Sequence, residues 1–139
     1  AYQKEISLSE GVEEFLDYCK AHNIFIAILT NGRPKSQYAK VSALDLHRWF
    51  DDDHIFISGG IGYQKPDPMA FQYIEKMFSL NPEETWYIGD TYEADVVGAD
   101  GAGWHTVWFN HRNRECLENC ADVTVRSIEE LSRFIRERS

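Results

Sequence analysis

Short apolar runs that stop abruptly on small polar residues, each followed by a helical pattern, constrain this chain more than any other feature. Ile24 to Leu29 ends in Thr30-Asn31-Gly32, His54 to Ile57 ends in Ser58-Gly59-Gly60, and Trp86 to Ile88 ends in Gly89-Asp90. The runs are continuous rather than alternating, which is the pattern of strands covered on both faces of a parallel sheet. Helical spacing precedes and separates them. From about Ser9, Val12, Phe15, Leu16 and Cys19 recur on one face until His22-Asn23. Pro34 is placed to open a helix with an apolar stripe of Tyr38, Val41 and Leu44. Phe71, Ile74, Met77 and Phe78 mark a third helix, broken at Asn81-Pro82, and Ala94, Val96, Val97 and Ala99 a fourth, from about Glu93. Two more strands are expected at His105 to Phe109 and Val123 to Val125. Ser127 and Glu130 then form a capping box for a last helix that buries Ile128, Leu131 and Ile135. Such alternation predicts right-handed crossovers and an α/β three-layer sandwich with a mainly parallel sheet.

In a parallel sheet the carboxyl ends of the strands share one edge, where ligands gather. The stretch Gly89-Asp90-Thr91-Tyr92-Glu93-Ala94-Asp95 therefore admits two readings. Asp90 could cap a helix by accepting backbone N–H bonds. Alternatively, Asp90 and Asp95, held across a strand-to-helix turn, could bind Mg2+, a hard cation that takes oxygen ligands and keeps several waters. The other polar strand ends bear on the choice. A hydroxyl from Thr30, amides near Asn31 and Gly32, an ammonium from Lys65 and paired carboxylates would suit a phosphoryl group beside a cation. Each has a plainer explanation, since Thr30 could serve a turn and Lys65 could be solvated.

Taken in order, Ile28-Leu29-Thr30-Asn31-Gly32, Lys65-Pro66-Asp67-Pro68 and Gly89-Asp90 with Asp95 resemble motifs II, III and IV of the haloacid dehalogenase-like (HAD) hydrolase superfamily. The resemblance runs from about Leu8 to the end of the chain. It implies a Rossmann-like core, Mg2+ dependence and, most often, phosphatase activity. By position, Thr30 would bind phosphoryl oxygens, and Asn31 and Gly32 would orient phosphate through their amides. Lys65 would stabilise the nucleophile and transition-state charge, Asp90 would ligate Mg2+, and Asp95 would support the metal or its waters. Thr30, Lys65 and Asp90 are thus the expected catalytic set.

The family's reaction begins with an aspartate nucleophile in a DxDxT-type motif after the first strand, which forms an aspartyl-phosphate. No such motif precedes residue 25. The run Asp51-Asp52-Asp53 comes before a strand rather than after one, and reads as a solvated turn. The chain therefore resembles a C-terminal portion whose first strand, nucleophile and cap domain are absent. Residues 1–8 would be the chain returning from that missing region, and 9–139 a partial core domain. The resemblance puts the missing strand in the middle of the sheet, beside the Thr30 and Asp90 strands. An empty slot there would leave strand edges unsatisfied, so the missing N-terminal segment or a swapped partner chain is expected to fill it. No cap fits in residues 31–64, which a helix and a strand use up.

The leading expectation is a Mg2+-dependent phosphatase of a small phosphorylated metabolite, inactive as this chain alone. The alternatives are a non-catalytic phosphate- or Mg2+-binding module, a phosphosugar mutase and a haloacid dehalogenase, the last disfavoured because those enzymes are metal-free. A net charge of −9 argues against nucleic acid as partner. No apolar run approaches the roughly 20 residues of a membrane span, so a cytoplasmic setting without membrane contact is expected. The chain starts on Ala1 rather than methionine and is expected to be a piece of a longer protein. Its 3 cysteines suggest no disulfide framework: Cys19 reads as core, and His111, Cys116 and Cys120 fit no common zinc spacing.

Overall fold

The computed structural model describes residues 11–110, 114 and 121–138. The expectations for residues 1–8 and for His111, Cys116 and Cys120 lie outside them. The chain divides into two compact units, Ala1–Ile61 and Gly62–Ser139.

In the first unit, helix α1 (Val12–Ala21) starts after Gly11, whose φ of 90° is left-handed. Glu13 and Glu14 lie in its first turn and Lys20 in its last, each complementing the helix dipole. Strand β1 (Ile28–Thr30) pairs in parallel with β2 (Ile55–Ile57), in the register Ile28 to Ile55 and Thr30 to Ile57. Helix α2 (Pro34–Ala43) lies between them in sequence, with Pro34 at its first position as expected. A short helix, α3 (Ser58–Ile61), follows β2. The core of this unit is Leu16, Val41, Trp49, Phe50, Ile55 and Ile57, with Val12, Phe15, Ile26, Ile28 and Leu46 packed against it. The Trp49 indole N–H is not stranded by burial, because it donates to Asp17 at 2.7 Å.

Strand β1 is shorter than the apolar run that predicts it. The run's first residue is used to end α1: the Ile24 N–H donates to the Cys19 carbonyl at 2.9 Å, after Asn23 takes a left-handed φ of 55°. This is the six-to-one bond of a Schellman closure. Phe25 then faces outward, 44% exposed, with its ring 5.3 Å from that of His54. The ladder starts only where β2 supplies partners.

In the second unit, β3 (Trp86–Gly89), β4 (His105–Phe109) and β5 (Val123–Val125) form a parallel sheet in that order. Helix α4 (Pro68–Phe78) begins at Asp67, whose side chain accepts the Met69 N–H at 2.9 Å. Helix α5 (Val97–Gly101) continues from a π-helical turn, Tyr92–Val96. Helix α6 (Ile128–Arg138) shows half of the expected capping box, the Glu130 N–H donating to Ser127 Oγ at 3.1 Å. Phe71 of α4 is fully buried and meets Tyr87 and Trp104 edge-on, at 5.0 and 5.4 Å between centroids. Gly98 permits this packing, since a Cβ there would lie 2.6 Å from the Phe71 ring.

Every described strand pair is parallel, so the fold is α/β and Rossmann-like as expected. Three residues of the predicted apolar stripes nevertheless face water: Tyr38, Val97 and Met77, the last at 54% exposure. Apolar atoms make up much of any protein surface, so residue type alone does not fix the facing. Trp86 to Ile88 is half-buried rather than enclosed. No helix among the described residues is long and apolar enough to cross a membrane.

Candidate active site

Strand β3 stops at Gly89 because the chain must turn there beneath a carboxylate. A Cβ on Gly89 would overlap the Asp95 side chain. Asp95 is buried at 4% exposure, and both of its oxygens are engaged. Oδ1 accepts from the Lys65 ammonium at 2.6 Å, and Oδ2 accepts the Thr91 N–H at 3.0 Å. The Asp95 N–H in turn donates to the Thr91 carbonyl at 2.7 Å, closing the π-helical turn on itself. Lys65 is enclosed as well, its side chain 12% exposed. The solvated-lysine reading is thereby replaced by a buried ion pair.

Tyr87 completes this cluster. Lys65 Nζ donates to its hydroxyl at 3.1 Å, and the phenol is hydrogen-bonded to Asp95. Burial, and after it the charge and hydrogen bond of Asp95 and the charge of Asp90, holds the phenol well above its usual titration range. Sequence reasoning missed this residue. The available signal was that Tyr87 and Gly89 share a face of β3 by the two-residue period, so a tyrosine two before the glycine looks onto whatever the glycine makes room for.

Asp90 stands half-buried at the strand end. Its Oδ1 accepts from the Thr91 hydroxyl at 3.2 Å, and its carbonyl accepts the Trp108 indole N–H at 3.3 Å. The N-cap position of the following turn belongs to Thr91, and the carboxylate serving that turn's N–H is that of Asp95. Glu93, exposed on the same turn, is drawn below the usual carboxylate range by its hydrogen bond from Arg114 at 2.6 Å.

In the first unit, the ends of β1 and β2 are stitched together. The Gly32 N–H donates to Ser58 Oγ at 2.9 Å, and the Gly59 N–H donates to the Gly32 carbonyl at 3.0 Å. Gln37 holds the preceding peptide by donating to the Asn31 carbonyl at 3.0 Å. Gly32 has a φ of 146°, and a Cβ on it would overlap the Gln37 amide, so only glycine fits without a shift. Thr30 ends β1 half-buried, its hydroxyl 3.5 Å from the Asn31 carbonyl. The Gly32 amide, expected to face phosphate, is thus engaged by Ser58.

Among the described residues, the group of three with metal-ligating atoms mutually within 4.8 Å is Asp51, Asp53 and His54, and it includes neither Asp90 nor Asp95. Asp51 and Asp53 are exposed, and His54 Nδ1 lies 2.7 Å from Asp53 Oδ1. The acidic run occupies a 3-10 turn ahead of β2, in keeping with a solvated turn.

A family model described as haloacid dehalogenase-like hydrolase matches residues 1–103. The chain is 35% identical over 101 residues to glyceraldehyde 3-phosphate phosphatase of Pyrococcus furiosus, covering 73% of this chain and 41% of that protein. It is also 35% identical over 130 residues to phosphoserine phosphatase of Thermus thermophilus, covering 93% of this chain and 51% of that protein. The magnesium-bound HAD-hydrolase YfnB of Bacillus subtilis superposes with a TM-score of 0.80 at 29% identity, covering 92% of this chain and 56% of that one. The chain thus spans about half the length of the curated relatives it matches. With motif order, fold and sequence in agreement, the chain belongs to the haloacid dehalogenase-like hydrolases.

Proposed function

We propose that this chain is the C-terminal part of a Mg2+-dependent phosphatase acting on a small phosphorylated metabolite in the cytoplasm. The aspartate nucleophile would come from outside these residues, on the N-terminal segment or a partner chain. The observation that carries the reading is the buried Lys65–Asp95 pair, 2.6 Å apart, with Asp95 on the turn that follows the strand-end Asp90. A lysine is costly to bury, and the arrangement is hard to explain as stability alone. It is well explained as a fixed positive charge beside a cation site. Similarity to two phosphatases of different substrates supports phosphoester chemistry while leaving the metabolite open.

The donor set suits a hard cation. Asp90 offers carboxylate oxygen at a strand end, and Asp95, whose two oxygens accept from Lys65 and the Thr91 amide, would support the cation through its waters. When bound, Mg2+ would neutralise phosphoryl charge as a Lewis acid. Lys65 would add charge of its own, aimed rather than mobile because Asp95 and Tyr87 hold it. Thr30 would donate its hydroxyl, and Asn31 a backbone N–H, to phosphoryl oxygens, while Gly32 shapes that loop through its bond to Ser58.

The test is hydrolysis of p-nitrophenyl phosphate with Mg2+, by this chain and by the protein extended at its N-terminus. Turnover is expected only from the extended protein, and Asp90→Asn should abolish it. Equal activity of the 139-residue chain alone would overturn the assignment of the nucleophile to another segment. An inactive extended protein would overturn the phosphatase reading.

A further inference from the structure

We propose that Tyr87 is a positioning residue for Lys65, its hydroxyl bridging ammonium and Asp95 carboxylate so that the lysine charge is aimed as well as present. This deepens the phosphatase reading and rests on it. An ion pair by itself fixes distance poorly in direction: an ammonium is a compact point charge on a flexible four-carbon stem, free to swivel about its single partner. Here a second acceptor is supplied. Lys65 Nζ donates to Asp95 Oδ1 at 2.6 Å and to Tyr87 Oη at 3.1 Å, while the phenol is hydrogen-bonded to the same carboxylate. The three groups close a ring in which each member orients the other two. With two N–H bonds directed, tetrahedral geometry sets the direction of the third.

The ring that carries the hydroxyl is itself immobilised. Phe71 meets it edge-on at 89°, and Phe71 is held in turn by Trp104 at 79° and by the close approach of Gly98. Tyr87 also extends from β3, whose register with β4 places it opposite Thr106, a residue with no exposed surface. The hydroxyl therefore sits where rigid packing puts it. A tyrosine needed only to fill this space would be matched by phenylalanine, so the oxygen is the part that asks for an explanation.

Tyr87→Phe removes that oxygen and keeps the ring. It is to be measured in the N-terminally extended protein, with p-nitrophenyl phosphate and Mg2+, alongside inhibition by orthovanadate and unfolding in urea. The loss of one hydrogen bond to a charged group predicts a fall in kcat of roughly ten- to a hundredfold. Vanadate affinity should weaken in parallel, with KM within about twofold of the parent and the fold retained, because a misdirected charge is felt most where negative charge develops. A variant with kcat and vanadate affinity unchanged, one whose loss lies in KM alone, or one that does not fold would assign Tyr87 to the core and overturn the proposal. An inactive parent protein would overturn the phosphatase reading and this role together, an outcome distinct from an active parent with an indifferent variant.

Discussion

The Lys65–Asp95 pair makes a quantitative prediction through a double-mutant cycle. At 2.6 Å and an effective dielectric constant of about 20, the gross attraction is about 6 kcal/mol, most of it offset by the cost of removing both charges from water. Breaking such a pair from one side costs about 3–5 kcal/mol, since the other charge stays buried and unmatched. Lys65→Met leaves the Asp95 carboxylate with the Thr91 N–H and Tyr87, so its cost should fall near about 3 kcal/mol, the lower end of that range. Asp95→Asn leaves an ammonium with only 12% of its side chain exposed and without its carboxylate partner at 2.6 Å, so its cost should be nearer about 4 kcal/mol. The double variant carries no buried charge at either position. Its cost should fall about 2–3 kcal/mol short of the sum of the single costs. Urea unfolding of the N-terminally extended protein, followed by circular dichroism with the slope checked for constancy, measures all four corners. Single-variant costs that add to within about 0.5 kcal/mol would refute the claim that these charges are buried against each other.

Further outcomes follow from the same geometry. Gly89→Ala should destabilise by about 3 kcal/mol and depress turnover, because its methyl would displace an Asp95 side chain already held at both oxygens; an unchanged urea midpoint would contradict this. The Tyr87 phenol titrates above its unfolded value near 10, so the folded state keeps a proton the unfolded state loses. Stability from this group is full below about pH 10 and declines as pH climbs beyond it, and the decline should be shallower in Tyr87→Phe. Parallel urea midpoints for the two proteins between pH 9 and about pH 11 would show the phenol to be solvated instead. Removal of divalent cations with EDTA should abolish p-nitrophenyl phosphate turnover and Mg2+ should restore it; persistent activity without cations would argue for metal-free chemistry. Burial pushes the Cys19 thiol up, so alkylation of Cys19 by iodoacetamide near pH 8 should be slow until urea is added, as peptide mapping would show.

The order of elements was legible because it depends on local pattern. Val12, Leu16 and Cys19 announce α1, Pro34 announces α2, and Ser127 with Glu130 announces α6. Strand length was less legible, because ladder length depends on a partner. Nothing in Ile24 to Leu29 reveals that Ile24 closes the preceding helix or that β2 offers only Ile55 to Ile57. At the site, Asp90, Asp95 and Lys65 stood out as charged residues near strand ends. Their pairing was not legible: Lys65 and Asp95 are 30 residues apart, and which carboxylate takes the ammonium depends on the depth of the turn after Gly89. Tyr87 was hidden by its surroundings, since a tyrosine between Trp86 and Ile88 reads as apolar filling until its hydroxyl is given neighbours. The bond from the Gly32 amide to Ser58 across β1 and β2 was not legible either, being a long-range contact that no single segment encodes.

One pair of bonds at the start of β5 sets the alignment of that strand. The Thr106 N–H donates to the Asp122 carboxylate at 2.8 Å, and the Asp122 N–H donates back to the Thr106 hydroxyl at 3.0 Å. Two side chains thereby imitate one more rung of the β4–β5 ladder, directly ahead of the pairing of Val107 with Val123. Because a slip of one residue would turn every side chain of β5 to the wrong face, this clasp decides which face Val125 presents. Alignment of the last strand is then set at the strand's own entrance. Asp122→Ala should accordingly loosen the register of β5 while leaving β3 and β4 paired.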